Sequence, residues 1–249
     1  MEDNILEDIK KEVGKECRKI NLTLTGYTIE GDRSGIAQSK VLGRQFFPRS
    51  MAGEYPRTEE GIPLVMLVQI NFAEVPAMKG YPADGLMQVY VNPFDWNDEN
   101  RTVLFFDKQQ LEEESIDVYG EILKESLDDA EYYLPAQHVH TMTFEKGISY
   151  SAAEDKEYSR QLGKAGKKYP KEAIEEFAKT FSPEFGSRIG GYCDFTQYDP
   201  RRSKVVQLLQ LDSEEGINFY DCGIMHVFIK PDALKEGLYE QATVYTDFY

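Results

Sequence analysis

Apolar and polar positions change period several times along the chain. Ile5, Leu6, Ile9, Val13 and Cys17 recur at helical spacing, which predicts an amphipathic helix over residues 3–19 with its charges on the outer face. Residues 20–28 then alternate, Ile20, Leu22 and Leu24 against Asn21, Thr23 and Thr25, which predicts a half-buried strand ended by Gly31 and Gly35. A second alternation, His138, His140, Met142 and Phe144, predicts a strand over residues 137–144. Ser151 with Glu154 has capping-box spacing and predicts a helix over residues 151–163. Pro170 opens another that carries Ile174, Phe177 and Phe181. Tyr239, Gln241, Thr243 and Tyr245 alternate with Ala242, Val244 and Thr246, which predicts a last strand over residues 239–249.

Three apolar blocks return in the same order. Ser39-Lys40-Val41-Leu42-Gly43 returns as Ser187-Arg188-Ile189-Gly190-Gly191. The run from Leu64 to Asn71 returns from Val205 to Asp212 with its amide, Gln69 or Gln210, in the same place. Gly85-Leu86-Met87-Gln88-Val89-Tyr90-Val91 returns as Gly223-Ile224-Met225-His226-Val227-Phe228-Ile229. These blocks are rich in Val, Ile, Tyr and Phe and apolar on both faces, which predicts strands covered on both sides. The fold class expected is therefore α+β: two similar β-rich halves from an internal duplication, in one compact unit over residues 1–249, with helices packed outside. The halves run from about 20 to 107 and from about 182 to 249, joined by an insert over 108–181.

Composition narrows the class. At 249 residues and 41% hydrophobic the chain is long and apolar enough to fold around a core. Its 28 basic residues against 44 acidic ones give a net charge of −16, which disfavours a phosphate backbone or an anionic membrane as partner. The longest apolar run, residues 62–68, is far short of the roughly 18 residues of a membrane span. The acidic N-terminal stretch does not read as a secretory leader, and Cys17, Cys193 and Cys222 form no even framework. A cytoplasmic protein is expected, without nucleic acid or membrane as partner.

Several of these segments together resemble a known family. Ser39-Lys40 with Gly43, Phe46, Phe47 and Pro48, then Leu67-Val68-Gln69-Ile70 and Gly85-Leu86-Met87-Gln88-Val89-Tyr90 are similar to motifs of the bacterial YwqG-like domain-of-unknown-function family. So are Ser187-Arg188-Ile189-Gly190-Gly191-Tyr192, Phe195-Thr196-Gln197, Asp199-Pro200-Arg201, Leu208-Leu209-Gln210-Leu211 and Asp221-Cys222-Gly223. The resemblance covers about residues 20–249 and departs at Leu42, where a second glycine is usual. It implies a fold and a bacterial cytoplasmic setting, with no established activity or catalytic residues. An association of some relatives with toxin and immunity loci points to a protein partner.

Candidate chemistry is sparse. Lys40 and Arg188 each follow a serine and precede glycines, so they can present a cation and backbone N–H groups to an anion; the structural alternative is a tight turn with the cation paired to a carboxylate. Gln69 and Gln210, buried in apolar runs, are hydrogen-bonded to a neighbouring loop or contact a ligand. Asp194, Asp199, Arg201, Arg202 and Asp212 cluster only near the second set of blocks. Within that cluster Asp199-Pro200-Arg201 reads as a turn, with Asp199 capping and Arg201 pairing locally, or as part of a site. His138, His140, His226, Cys193 and Cys222 have no common ligand spacing, so no metal and no cofactor is expected. The ligand-binding candidates are thus Lys40, Arg188, Gln69, Gln210, Asp199 and Arg201, and no catalytic residue is assigned. The expected function is an interaction protein that regulates or neutralises a basic protein partner through its acidic surface, in the manner of an immunity protein. The alternative is an enzyme or binding protein for a small anionic molecule in the groove between the halves.

Overall fold

The computed structural model describes residues 2–127, 133–150, 154–180 and 185–248. Along the chain come α1 (Glu2–Val13), β1 (Lys15–Leu24), β2 (Lys40–Val41), β3 (Val65–Asn71), β4 (Leu86–Val91) and β5 (Thr102–Phe106). There follow α2 (Lys124–Leu127), β6 (His140–Ser149), α3 (Lys156–Ala165) and α4 (Lys171–Thr180). The chain ends with β7 (Arg188–Gly190), β8 (Val206–Asp212), β9 (Ile224–Ile229), α5 (Pro231–Glu236) and β10 (Thr243–Asp247).

The expected two halves with helices outside are overturned by the sheet. Among the described residues ten strands form one antiparallel sheet in the order β10-β9-β8-β7-β1-β6-β2-β3-β4-β5. The N-terminal strand and the insert supply its middle: β1 pairs with β6 from Lys15↔Ser149 to Leu24↔His140, and their outer edges take β7 and β2. The ladder therefore runs unbroken where a groove between halves was expected. The sheet also curls until its edge strands meet. Arg101, just before β5, donates from Nη1 to Thr246 Oγ1 of β10 at 3.1 Å, and Trp96 packs on Phe219 with centroids 5.4 Å apart. Nor do the helices form one outer layer: Ile9 and Val13 of α1, Tyr158 and Ala165 of α3 and Phe177 of α4 bury together with Tyr192 in a separate cluster, while Leu127 of α2 and Ala233 of α5 join the main core.

Local chemistry moves several boundaries. The N-terminal helix stops at Val13 and Cys17 belongs to β1 instead; Gly14 between them lets the chain pass close to Ile148, whose Cγ2 would lie 2.5 Å from a Cβ there. Asp155 caps α3, its Oδ1 accepting from the N–H groups of Glu157 at 2.7 Å and Tyr158 at 3.0 Å. The expected cap Ser151 lies outside the described residues, as do Phe181 and residues 128–132. β2 and β7 are short because the chain turns left-handed directly after or at their ends, at Leu42 (φ 55°) and Gly43 (φ 95°), and at Gly190 (φ 69°) and Gly191 (φ 75°). Gly190 has a second constraint, since a Cβ there would lie 2.7 Å from Met78 Cε and 2.9 Å from the Tyr81 hydroxyl.

The main core fills the inside of the curled sheet, where Val68, Val89, Leu209 and Val227 are fully buried. The outer faces of β4 and β9 are covered too, by the loops that leave β2 and β7. Buried amides pin those loops down. Gln69 Oε1 accepts from Phe46 N at 3.2 Å, Gln88 Nε2 donates to Phe46 O at 2.7 Å, and Gln210 Oε1 accepts from Asp194 N at 3.0 Å. Each such group left unpaired would cost about 1–3 kcal/mol, so the amides specify how the loops lie.

Candidate anion-binding cleft

The sequence candidates separate into three places. Lys40 is fully buried, and its ammonium donates to Asp32 Oδ2 at 3.1 Å, Gly35 O at 2.8 Å and Arg44 O at 2.8 Å. An ammonium has three N–H groups, and all three are used. Asp32 in turn accepts from Ser34 N at 2.8 Å and Arg44 N at 2.9 Å. Burial alone would raise its pKa, but the Ser34 hydrogen bonds and the Lys40 charge hold it below the ordinary carboxylate value. Gln69 completes the neighbouring loop, donating to Ile36 O at 2.9 Å and Gln38 O at 2.8 Å.

Arg188 and Gln210 form the second place. Arg188 Nη2 pairs with Asp194 Oδ2, Nε donates to Tyr192 O at 3.2 Å, and Gln210 Nε2 donates to the same Asp194 oxygen at 2.9 Å. Asp194 Oδ1 has no hydrogen-bond partner among the described residues. Burial raises the pKa of Asp194 despite the Arg188 charge. His226 faces Gln210 across the β8–β9 ladder and bonds Gln207 Oε1 through Nδ1 at 3.1 Å. Burial first, then the charges of Arg188 and Arg201, push its pKa down to about 3, so this imidazole is neutral. His138 is exposed, while His140 is buried with Nε2 2.8 Å from Glu215 O. Among the described residues no three His, Cys, Asp or Glu side chains are grouped to hold a metal ion.

The third place is where Asp199 and Arg201 meet α3. Asp199 Oδ1 accepts from Arg201 N at 2.9 Å and Nε at 2.8 Å, and its Oδ2 accepts from Arg201 Nη2 at 2.7 Å. The guanidinium also pairs with Asp155 Oδ1 at 3.0 Å and lies over the Phe195 ring, 5.3 Å from its centroid. Asp155 Oδ2 accepts from Cys193 N at 2.9 Å, so the cap of α3 and loop 193–201 are tied into one knot. Burial opposes both charges of the pair. The hydrogen bonds between them prevail, lowering the pKa of Asp199 and raising that of Arg201. Beside them the Cys193 thiol is pushed up by burial, which makes it a poor nucleophile.

This knot forms one wall of a cleft of about 540 Å³ between α3, the start of β1, Tyr81 and loop 199–206. Lys15, Lys156, Arg160, Arg201, Arg202 and Lys204 line it, against the two carboxylates of Glu157 and Asp199. Some of these cations are spoken for. Lys15 pairs with Glu157 at 2.7 Å, and Lys156 Nζ donates to Asp199 O at 2.9 Å. Arg160, Arg202 and Lys204 are exposed, and their side chains have no hydrogen-bond or ion-pair partner among the described residues. A rigid, paired floor thus carries three cations that face solvent across a concave surface. Sequence reasoning reached Asp199, Arg201 and Arg202 but missed Lys156, Arg160 and Lys204. The signal available was the basic run Arg201-Arg202-Ser203-Lys204 in so acidic a chain.

No helix among the described residues is long and apolar enough to cross a membrane. No curated protein matches the chain in sequence. One family does: residues 39–247 match the family described as Domain of unknown function (DUF1963), and this chain, with the cation-lined cleft inside the matched span for most of its residues, belongs to that family.

Proposed function

We propose that the protein binds a small anionic ligand in the cleft between α3 and loop 199–206. The observation that carries the reading is a local reversal of charge: a chain of net charge −16 places six cations against two carboxylates around a cleft of about 540 Å³. Three of those cations, Arg160, Arg202 and Lys204, have side chains without a partner among the described residues. Cations gathered around a concave surface attract anions more strongly than the same charges on a flat one. Arginine adds a fork that matches phosphate or carboxylate oxygens. The bacterial, cytoplasmic, YwqG-like setting belongs to the same reading. A basic protein partner has only the overall charge behind it, so the cleft is the favoured site.

The test is thermal unfolding with pyrophosphate, inorganic phosphate, sulfate and citrate added one at a time. A ligand at about 100 times its Kd stabilises by about 2.7 kcal/mol, which is roughly 5–10 °C in Tm for a chain of this size. Pyrophosphate is expected to raise Tm, and Arg160→Ala with Lys204→Ala to remove the effect. Stabilisation that survives in the double variant, or none by any of the four anions, would refute the site.

A further inference from the structure

Residues 200–203 and 205 also line a second hollow. It measures about 200 Å³ and is floored by Val205, Phe228 and Tyr245. Arg201, Arg202, Ser203 and Val205 line both hollows, so the two adjoin along this segment. Their chemistry differs. The first is cationic, whereas the second sets Arg201 and Arg202 against an apolar lining of Val205, the buried Phe228 and the half-buried Tyr245, with the exposed Thr243 beside them.

Those rings are ordered. Phe228 lies nearly parallel to His226, at 7° with centroids 5.4 Å apart, and Tyr245 is tilted 28° from His226 at 6.3 Å. His226 is fully buried and Phe228 only 5% exposed, so the half-buried Tyr245 is the ring of this tier most open to a further planar group, since stacking asks only for a π-face. Arg202 and Ser203, exposed and common to both hollows, mark the crossing point. A ligand that fills both hollows would join a flat ring to a multiply charged anion by a short polar linker.

We infer that the anion is a nucleoside phosphate, its phosphates among Arg160, Arg202 and Lys204 and its base against Tyr245 and Phe228. This rests on the anion-binding reading above and narrows it. Binding by calorimetry of pyrophosphate, adenosine and the four common ribonucleoside diphosphates tests it, with wild type, Tyr245→Leu and Thr243→Met. Stacking on an aromatic side chain gives at least one nucleoside diphosphate about ten-fold tighter binding than pyrophosphate. Tyr245→Leu removes that advantage and leaves pyrophosphate binding unchanged. Thr243→Met fills the hollow from an exposed position, adds no π-face and does the same without touching the core, so a poorly folded Tyr245 variant does not stall the test. If every nucleoside diphosphate binds no tighter than pyrophosphate, or the advantage survives both variants, the nucleoside assignment is wrong and the anion site stands. If neither pyrophosphate nor any nucleotide binds, both readings fall.

Discussion

Replacing Lys40 with methionine separates a structural cation from a ligand-binding one. In the folded chain the ammonium is fully buried, with Asp32 Oδ2 at 3.1 Å and two backbone carbonyls at 2.8 Å. Methionine fills much of the same volume but leaves the Asp32 carboxylate buried without its counter-charge, along with two carbonyls that lose a donor. Breaking a buried pair from one side costs about 3–5 kcal/mol. For a chain of this length that is a fall in Tm of roughly 6–20 °C. Urea unfolding at pH 7 measures the loss directly, from the midpoint at unchanged m-value. Sign and pH give a second reading. In wild type the lowered pKa of Asp32 contributes stability that is present above its unfolded value near 4 and is lost as pH falls through the folded value. In Lys40→Met the uncompensated carboxylate prefers its proton, so lowering the pH toward 5 should recover part of the loss. Adding Asp32→Asn to Lys40→Met should cost little more than Lys40→Met alone, because the buried charge is gone in both directions. A loss under about 1 kcal/mol, or loss of pyrophosphate binding in a folded Lys40→Met protein, would refute this account of Lys40.

Two further outcomes follow from groups in the same sheet. His226 is neutral in the fold with a pKa of about 3, against about 6.5 unfolded, so its contribution is complete above pH 6.5 and falls away as pH drops toward 3. Between pH 7 and 5 that is about 2 kcal/mol, and His226→Phe should flatten the urea-unfolding stability curve by that amount; equal slopes would show that another group carries the change. Leu42→Gly relieves a left-handed leucine at φ 55°, worth about 1–2 kcal/mol, but deletes a side chain only 2% exposed, worth more than the 2–5 kcal/mol of a buried Leu→Ala change. The variant should therefore be less stable by about 1–3 kcal/mol in the same assay, and a gain would reverse that ordering.

The strand-forming blocks were legible in the sequence because they are apolar and β-branched on both faces: β3, β4, β8 and β9 all fall inside them. Their assembly was not. What joins them is β1 and β6, and the first half of β1 hides its nature, although the alternation from Ile20 to Leu24 marks its second half: Cys17 continues the helical spacing of Ile9 and Val13, and Arg18 reads as an outward charge. In the fold Arg18 is fully buried, because its guanidinium donates to the carbonyls of Pro76, at 2.6 Å, and Ala77. A long-range partner of that kind leaves no local mark on the chain. The turn chemistry of Asp199-Pro200-Arg201 was readable for the opposite reason, since its hydrogen bonds span two residues. Lys156 and Arg160 were invisible as site residues because only the fold brings α3 to loop 199–206. On their own they are ordinary surface charges of an amphipathic helix.

The cleft itself is tested most directly by locating a bound anion. Crystals grown at low ionic strength with tungstate, at a concentration near its measured Kd, would give the metal's position by anomalous scattering. The account predicts a peak between α3 and loop 199–206, within hydrogen-bonding reach of Arg202 and at least one of Arg160 and Lys204. Tungstate bound elsewhere on the protein, with this cleft empty, would contradict it.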